Sequence, residues 1–527
     1  MMAPPRHRRA AAAAAALLLL LAASPPAAAS LTLANVFADH MVLQHDGARV
    51  WGWTEPGAVV ATLFNGTTRL TSPPADAGGL WVQQLPRVAA SLAAYSFYFS
   101  ASTGGSAALD DVLFGEVILA SGQSNMVFST VQAFGGGDAI AGAGAFPGLR
   151  LMTVGRRAVP APLPQLVSVL QPWAVSSPAS VRFDGGNFTA FSAVAFFAGA
   201  SLYSQLGGGV PVGLIVSAYS GTPLQYWTSP DAAGACPPTP PSRGGNVSQL
   251  WNGMLAPLAV GPLALSPRSF AWWLQGEDNL GQAPYYTCAL PAFIADLRAK
   301  FALPASSAFV VVGLSAWPSS GDHYLNLPEM RAAQVAAVRA GAAARTAVGY
   351  AAAYDQGDVA SPWPGHPRRK APVGARVAAA ALGAGWGWST PYLGPTYASS
   401  SAAATPDGAG VVVTVSFDPA SVGHAPIVLD ASVGCPPPAV VPPATCEGLA
   451  VQTSDGAWHA DEALALGRTP DGLGLTLTLP ALAPGLSVNA TRGMFANWPR
   501  AYINNTYGFP AVPWNEPLGA VRRRGGA

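Results

Sequence analysis

Apolar and polar positions follow three successive patterns along this chain. From residue 31 to about 108, short apolar runs at 36–37, 41–43, 50–53, 59–63 and 81–83 are separated by Gly, Pro, Asp and Asn, which predicts short strands in a small sandwich. From about 111 the pattern changes to apolar runs at 117–120, 213–217, 270–274, 309–314 and 347–350. Helical stretches at 191–205, 292–300, 329–342 and 373–382 lie between and after them. This alternation predicts a parallel, three-layer α/β unit. Beyond about 386, alternating stretches at 411–417 and 473–479, with a short run at 427–429, return the prediction to β structure. The expected organisation is therefore an N-terminal β unit over 30–108, an α/β unit over 109–385, a C-terminal β unit over 386–515 and a disordered tail over 516–527.

The first 29 residues stand apart from this pattern. Arg6, Arg8 and Arg9 precede an Ala/Leu run and an Ala-x-Ala exit near Ala29, the signature of a secretory signal peptide. The run is too short to span a bilayer, and no later stretch supplies about 20 uninterrupted apolar residues. A secreted or lumenal protein without a membrane anchor is expected. The length of 527 residues and 50% hydrophobic content allow large cores, whereas a net charge of +1 and 10% charged residues argue against a nucleic-acid partner. Four cysteines in an exported chain suggest two disulfides. Cys435 and Cys446 flank a Pro-rich loop and form the natural local pair, leaving Cys236 with Cys288, although three pairings are formally possible. No metal-binding spacing is present and no cofactor is expected. Sequons at Asn65, Asn187, Asn246, Asn489 and Asn504 mark surface loops.

Candidate chemistry collects at the carboxyl ends of the α/β strands, where open parallel sheets bind ligands. Ser121-Gly122-Gln123-Ser124-Asn125 follows the 117–120 run, so Ser124 sits at a strand-to-helix turn whose backbone N–H groups favour a developing oxyanion. Ser220-Gly221-Thr222 follows the 213–217 run, and Gln275-Gly276-Glu277-Asp278-Asn279 follows the 270–274 run. His366 lies in the loop after the 347–350 run, together with Asp355, Asp358 and Trp363. A Ser hydroxyl is a weak nucleophile until a base removes its proton, and His366 is the candidate base. His323, preceded by Asp322, is a rival. An unperturbed histidine titrates near 6.5, so activity is expected to fall below about pH 6.

Ser-Gly-Gln-Ser-Asn-Met, Trp-Trp-Leu-Gln-Gly-Glu-Asp-Asn and His-Pro-Arg-Arg-Lys, in that order and spacing, resemble the sialate O-acetylesterase family of the SGNH (GDSL-like) hydrolases. Phe37-Ala-Asp-His-Met-Val-Leu-Gln44, Trp51-Gly-Trp-Thr-Glu-Pro-Gly57 and Leu250-Trp-Asn-Gly-Met-Leu-Ala-Pro-Leu258 extend the likeness over essentially the whole mature chain, as do segments from Trp498 to Pro510. The resemblance implies an α/β hydrolase core flanked by β domains, acting on acetyl esters of sugars. It makes Ser124 the nucleophile, His366 the base, and the N–H groups of Ser124 and of Ser220 or Gly221, with the Asn279 amide, the oxyanion hole. Gln123, Gln275 and Trp363 are the implied substrate contacts. The chain departs from the family at Ser220, where Gly is common, and from the wider superfamily at Trp363, where an Asp is expected. The acid orienting His366 therefore remains open between Asp358, Asp355 and Glu277, the Glu used in related carbohydrate esterases, with a backbone carbonyl as a further option. The partner implied is an acetylated sugar or glycan, of sialate or xylan/pectin type. The competing class is a non-catalytic carbohydrate-binding protein that stacks sugar on Trp227, Trp363 and Trp386.

Overall fold

A computed structural model describes residues 31–240, 244–317, 326–441 and 445–519. The first 30 residues, where a signal peptide is expected, the Asp322-His323 pair and the last eight residues lie outside the described residues. The strand that carries Ser124 is far longer than its apolar run suggests: β1 (Ser106–Gly122) continues without interruption from the N-terminal β region into the centre of the molecule. Its first half pairs antiparallel with the strand Ser91–Ala101 and parallel with Val42–Gln44. Its second half lies between parallel neighbours. Gly115 marks the crossing, because a Cβ there would meet the Pro211 carbonyl oxygen at 2.1 Å. The expected boundary at 108/109 thus falls inside one strand.

The central strands follow as β2 (Leu149–Val154), β3 (Val169–Val175), β4 (Val212–Ala218), β5 (Ser269–Leu274), β6 (Ala308–Val312) and β7 (Val348–Ala351). Their spatial order is β3-β2-β4-β1-β5-β6-β7. All pairings are parallel except that of β3 with β2. β2 and β3 are additions to the sequence expectation. The former is buried at every position and the latter alternates at an edge.

Burial on both faces explains the continuous apolar runs of β1, β4, β5 and β6. On one face Ile118, Ala120, Leu214, Val216 and Val310 join a core with Phe196 and Leu202 of α2 (Ala193–Gln205) and Val373 and Val377 of α5 (Lys370–Ala381). On the other, Val117, Leu119, Ile215, Trp273 and Val311 join a core with Phe293 and Leu297 of α3 (Ala283–Lys300) and Met330 and Ala333 of α4 (Leu327–Ala343). The sequence pattern finds these four helices but starts α3 late, because Pro284 and Pro291 mask its first turns.

The C-terminal β region forms small antiparallel sheets around Gly410–Phe417 and Leu449–Thr453. It is fastened to the central unit by Arg331, whose buried guanidinium donates to the carbonyls of Leu314, Ser315, Ala496 and Asn497. Trp514–Pro517 is a strand, so the tail expected from 516 begins inside an ordered element. Disulfides join Cys236 to Cys288 and Cys435 to Cys446, the pairing that the loop spacing favours. Among the described residues no helix is long and apolar enough to cross a membrane.

Candidate active site

Gly122 ends β1 at φ +138, where a Cβ would lie 2.0 Å from the Leu274 carbonyl oxygen. Glycine is required there, and it lets the Gln123 N–H reach that same oxygen at 3.0 Å. The turn delivers Ser124 as the first residue of the short helix α1 (Ser124–Val127). No intrahelical acceptor precedes the Ser124 N–H, so it is available to a bound oxygen. The exposed Ser220-Gly221 bend, at the end of neighbouring β4, contributes backbone N–H groups that take no part in hydrogen bonding among the described residues. Gly221 has φ +68 and open space around it.

His366 arrives from the loop after β7. Its Nδ1 lies 2.8 Å from the Pro364 carbonyl oxygen. A carbonyl only accepts, so Nδ1 carries the proton and Nε2 is left with its lone pair. The ring packs edge-on against Phe188 at 5.4 Å, and Phe188 in turn meets Trp363 and Phe128. Burial lowers the His366 pKa to about 4, and the nearby Lys370 charge acts in the same direction.

The histidine loop is tied to the serine turn by Asn125. Its Nδ2 donates to Glu277 Oε1 at 2.6 Å and to the Gly365 carbonyl at 3.0 Å, while its Oδ1 accepts from Lys370 Nζ at 2.6 Å. The neighbours of Ser124 and His366 are therefore in direct contact. Burial pulls Lys370 down to about 7, opposed by the Glu277 carboxylate. Burial also raises Glu277, opposed chiefly by hydrogen bonds to its charged form, including the one from Asn125. Asn125 and Lys370 carry no expected role, although both stand inside the motifs that contain Ser124 and His366.

Several expectations are corrected by this geometry. Asp358 does not orient His366: its carboxylate is held by Arg368, at 2.6 and 3.1 Å, and this charge keeps its pKa low. Asp355 is bound at 2.5 and 2.6 Å by Arg376. Glu277 bonds Asn125 rather than the imidazole, and its Oε2 is buried without a partner among the described residues. The Pro364 carbonyl holds the ring instead. Asn279 is fully buried, and its two amide hydrogens go to Gln225 Oε1 and Gln282 Oε1, which leaves none for an oxyanion.

Gln123 and Gln275 are likewise buried below the site rather than facing substrate. Gln123 Oε1 accepts from Gln275 Nε2 and from the N–H groups of Gly276 and Asp278, while its Nε2 donates to Asp278. Gln275 also donates to Thr222 and Asn279. These amides lock the ends of β1, β4 and β5 together. Trp363 is half-buried in the aromatic wall and Trp386 is half-buried elsewhere, but Trp227 is fully buried and donates to Thr222, so it offers no sugar platform.

The Asp355–Arg376 pair yields a stability prediction. Asp355→Asn leaves a buried guanidinium without its counter-charge and should cost about 3 kcal/mol, seen as a lower urea midpoint, with kcat reduced by less than about fivefold. A large kcat loss at unchanged stability would return Asp355 to the catalytic set.

Comparison with known proteins agrees with the motifs. The chain is 32% identical over 294 residues to the sialate O-acetylesterases of Pongo abelii and Homo sapiens, covering 51% of this chain and 53% of each relative. It thus spans about half the length of the curated relatives it matches. A carbohydrate acetylesterase from Xanthomonas citri has a similar structure, with a TM-score of 0.74 and 26% identity, over 92% of this chain and 99% of that one. No protein-family model matches. The resemblance to sialate O-acetylesterases read from the motifs is borne out by this sequence similarity, and the carbohydrate acetylesterase neighbour accords with it.

Proposed function

We propose that this chain is a carbohydrate O-acetylesterase, built on a three-layer SGNH-type unit flanked by β regions and exported by its leader. Ser124 serves as nucleophile and His366 as base. The observation that carries this reading is the contact of Asn125 with the Gly365 carbonyl, which draws together the serine turn and a histidine loop whose Nε2 is free to accept a proton. Ser124 Oγ attacks the acetyl carbonyl carbon as Nε2 takes its proton. The resulting oxyanion is received by the N–H of Ser124 and an N–H of the Ser220-Gly221 bend. Collapse expels the sugar alkoxide, which takes the proton from the imidazolium and leaves acetyl-Ser124. Water, deprotonated by His366, then releases acetate and restores the serine. The Pro364 carbonyl fixes the ring tautomer in the role an acid often fills.

A panel of O-acetylated sugars, incubated with the purified chain and with Ser124→Ala as control, tests this reading. Release of acetate dependent on Ser124 is expected, and none on any sugar would overturn it. A xylan- or pectin-type esterase would use the same residues, and the panel separates it from a sialate-type enzyme.

The pH profile sharpens the test. The base must be neutral, and its lowered pKa keeps it neutral further into acid than an unperturbed histidine. kcat/KM should therefore stay level from pH 8 to near 5 and fall as pH drops through about 4. This replaces the fall below pH 6 expected for an unperturbed histidine. A profile bending at 6.5 would contradict the desolvation of His366.

A further inference from the structure

Lys370 is the first residue of α5 and is buried, with 2% of its surface exposed. Both circumstances work against a cation. Burial strips its water, and the amino end of a helix already carries partial positive charge. Its ammonium meets Asn125 Oδ1 at 2.6 Å and lies over the Phe128 ring at 4.8 Å. The counter-charge, Glu277, reaches it through the Asn125 amide, which donates to Glu277 Oε1 at 2.6 Å. The ester chemistry set out above uses neither charge.

Three partners fix the Asn125 amide in one orientation. Its oxygen faces an ammonium, and its two N–H groups face a carboxylate and the Gly365 carbonyl. A flipped amide would oppose like poles at all three contacts. The anchored groups also adjoin the chemistry, since Asn125 follows Ser124 and Gly365 precedes His366. Gly365 has φ +74 and packs on the Trp317 ring, where a Cβ would lie 2.5 Å away, so the turn sets the direction of its carbonyl.

We propose that Asn125 and Lys370 are positioning residues for the hydrolysis, the Glu277–Asn125–Lys370 chain holding the serine turn and the histidine turn at a fixed separation. The proposal rests on the esterase reading and deepens it. The ammonium has a second effect, because a neighbouring positive charge disfavours protonation of the imidazole. Lys370 stays charged through the acid limb, since its pKa lies near 7 and that of His366 near 4. Of the other cations around the imidazole, Arg368 is paired with Asp358, Arg369 is exposed and Arg156 is held on the Phe188 carbonyl. Glu277 also faces Asp278, Tyr286 of α3 and Arg331 of α4.

The test follows hydrolysis of a chromogenic acetate from pH 4 to 8 by the full chain, Asn125→Asp, Lys370→Met, and Lys370→Met combined with Glu277→Gln. Asn125→Asp keeps size but turns two donors into acceptors, and Lys370→Met keeps length but removes the charge. Each should lower kcat by about 10- to 100-fold with KM within about threefold of wild type, as misplacement rather than lost binding would. The double variant leaves no buried charge alone, and the amide placed at 277 still accepts from Asn125, so part of kcat should return. In both Lys370 variants the acid limb of kcat/KM should move up from about 4 toward 6.5. Wild-type kcat in Asn125→Asp would overturn the proposal. So would an unmoved acid limb in the Lys370 variants, which would reduce Lys370 to packing. Should Lys370→Met fail to fold, the double variant decides. Absence of Ser124-dependent turnover in the unmodified chain would overturn the esterase reading together with this one.

Discussion

Ser124→Ala should reduce acetyl-ester turnover by about 10⁴-fold or more in kcat while leaving the fold intact. The side chain removed is small and buried, and the turn is fixed by backbone geometry rather than by the hydroxyl. Gly122 and the Gln123 N–H hold the strand end against Leu274 whether or not Oγ is present. The thermal midpoint should therefore move little. Residual turnover near the wild-type level would place the nucleophile elsewhere.

His366→Ala should cost about 10³- to 10⁴-fold in kcat, with a smaller change in KM, because the proposed base for the Ser124 proton is then gone. The comparison with the carboxylates is the informative part. Since the Pro364 carbonyl holds Nδ1, neither Asp355→Asn nor Asp358→Asn should approach that loss. Asp358→Asn should loosen the histidine loop through Arg368, and so act mainly on stability. Equal losses in His366→Ala and Asp358→Asn, at unchanged stability, would show that the loop rearranges to form an acid-oriented histidine in the working enzyme.

The reach of the sequence differed from element to element for physical reasons. Strands buried on both faces announce themselves as apolar runs, and β1, β4, β5 and β6 were legible in that way. β2 was not, because Arg150 interrupts its pattern. That arginine is accommodated by pairing with Asp111 and the His40 carbonyl, partners about 40 and 110 residues away. The extent of β1 was hidden by Asp110, Asp111 and Gly115, which look like a break when the neighbouring chain is unseen. Ser124 and His366 could be singled out because each stands in a turn motif at a strand's carboxyl end. The polar cluster 275–279 suggests a ligand-facing site because buried amides need partners. The structure supplies those partners from within the protein, through Gln123, Gln225 and Gln282. The acids beside His366 misled for the same reason: local spacing shows that a carboxylate is near in the chain, but not that Arg368 or Arg376 is nearer in space.

The central claim is that Ser124 forms a covalent intermediate with the help of His366, and the most direct measurement is labelling with an acyl-mimicking fluorophosphonate followed by peptide mass spectrometry. The account predicts one modified residue, Ser124, with labelling that slows sharply in His366→Ala and persists at pH 5. Stoichiometric labelling at any other residue, or labelling of Ser124 at an unchanged rate without His366, would contradict it.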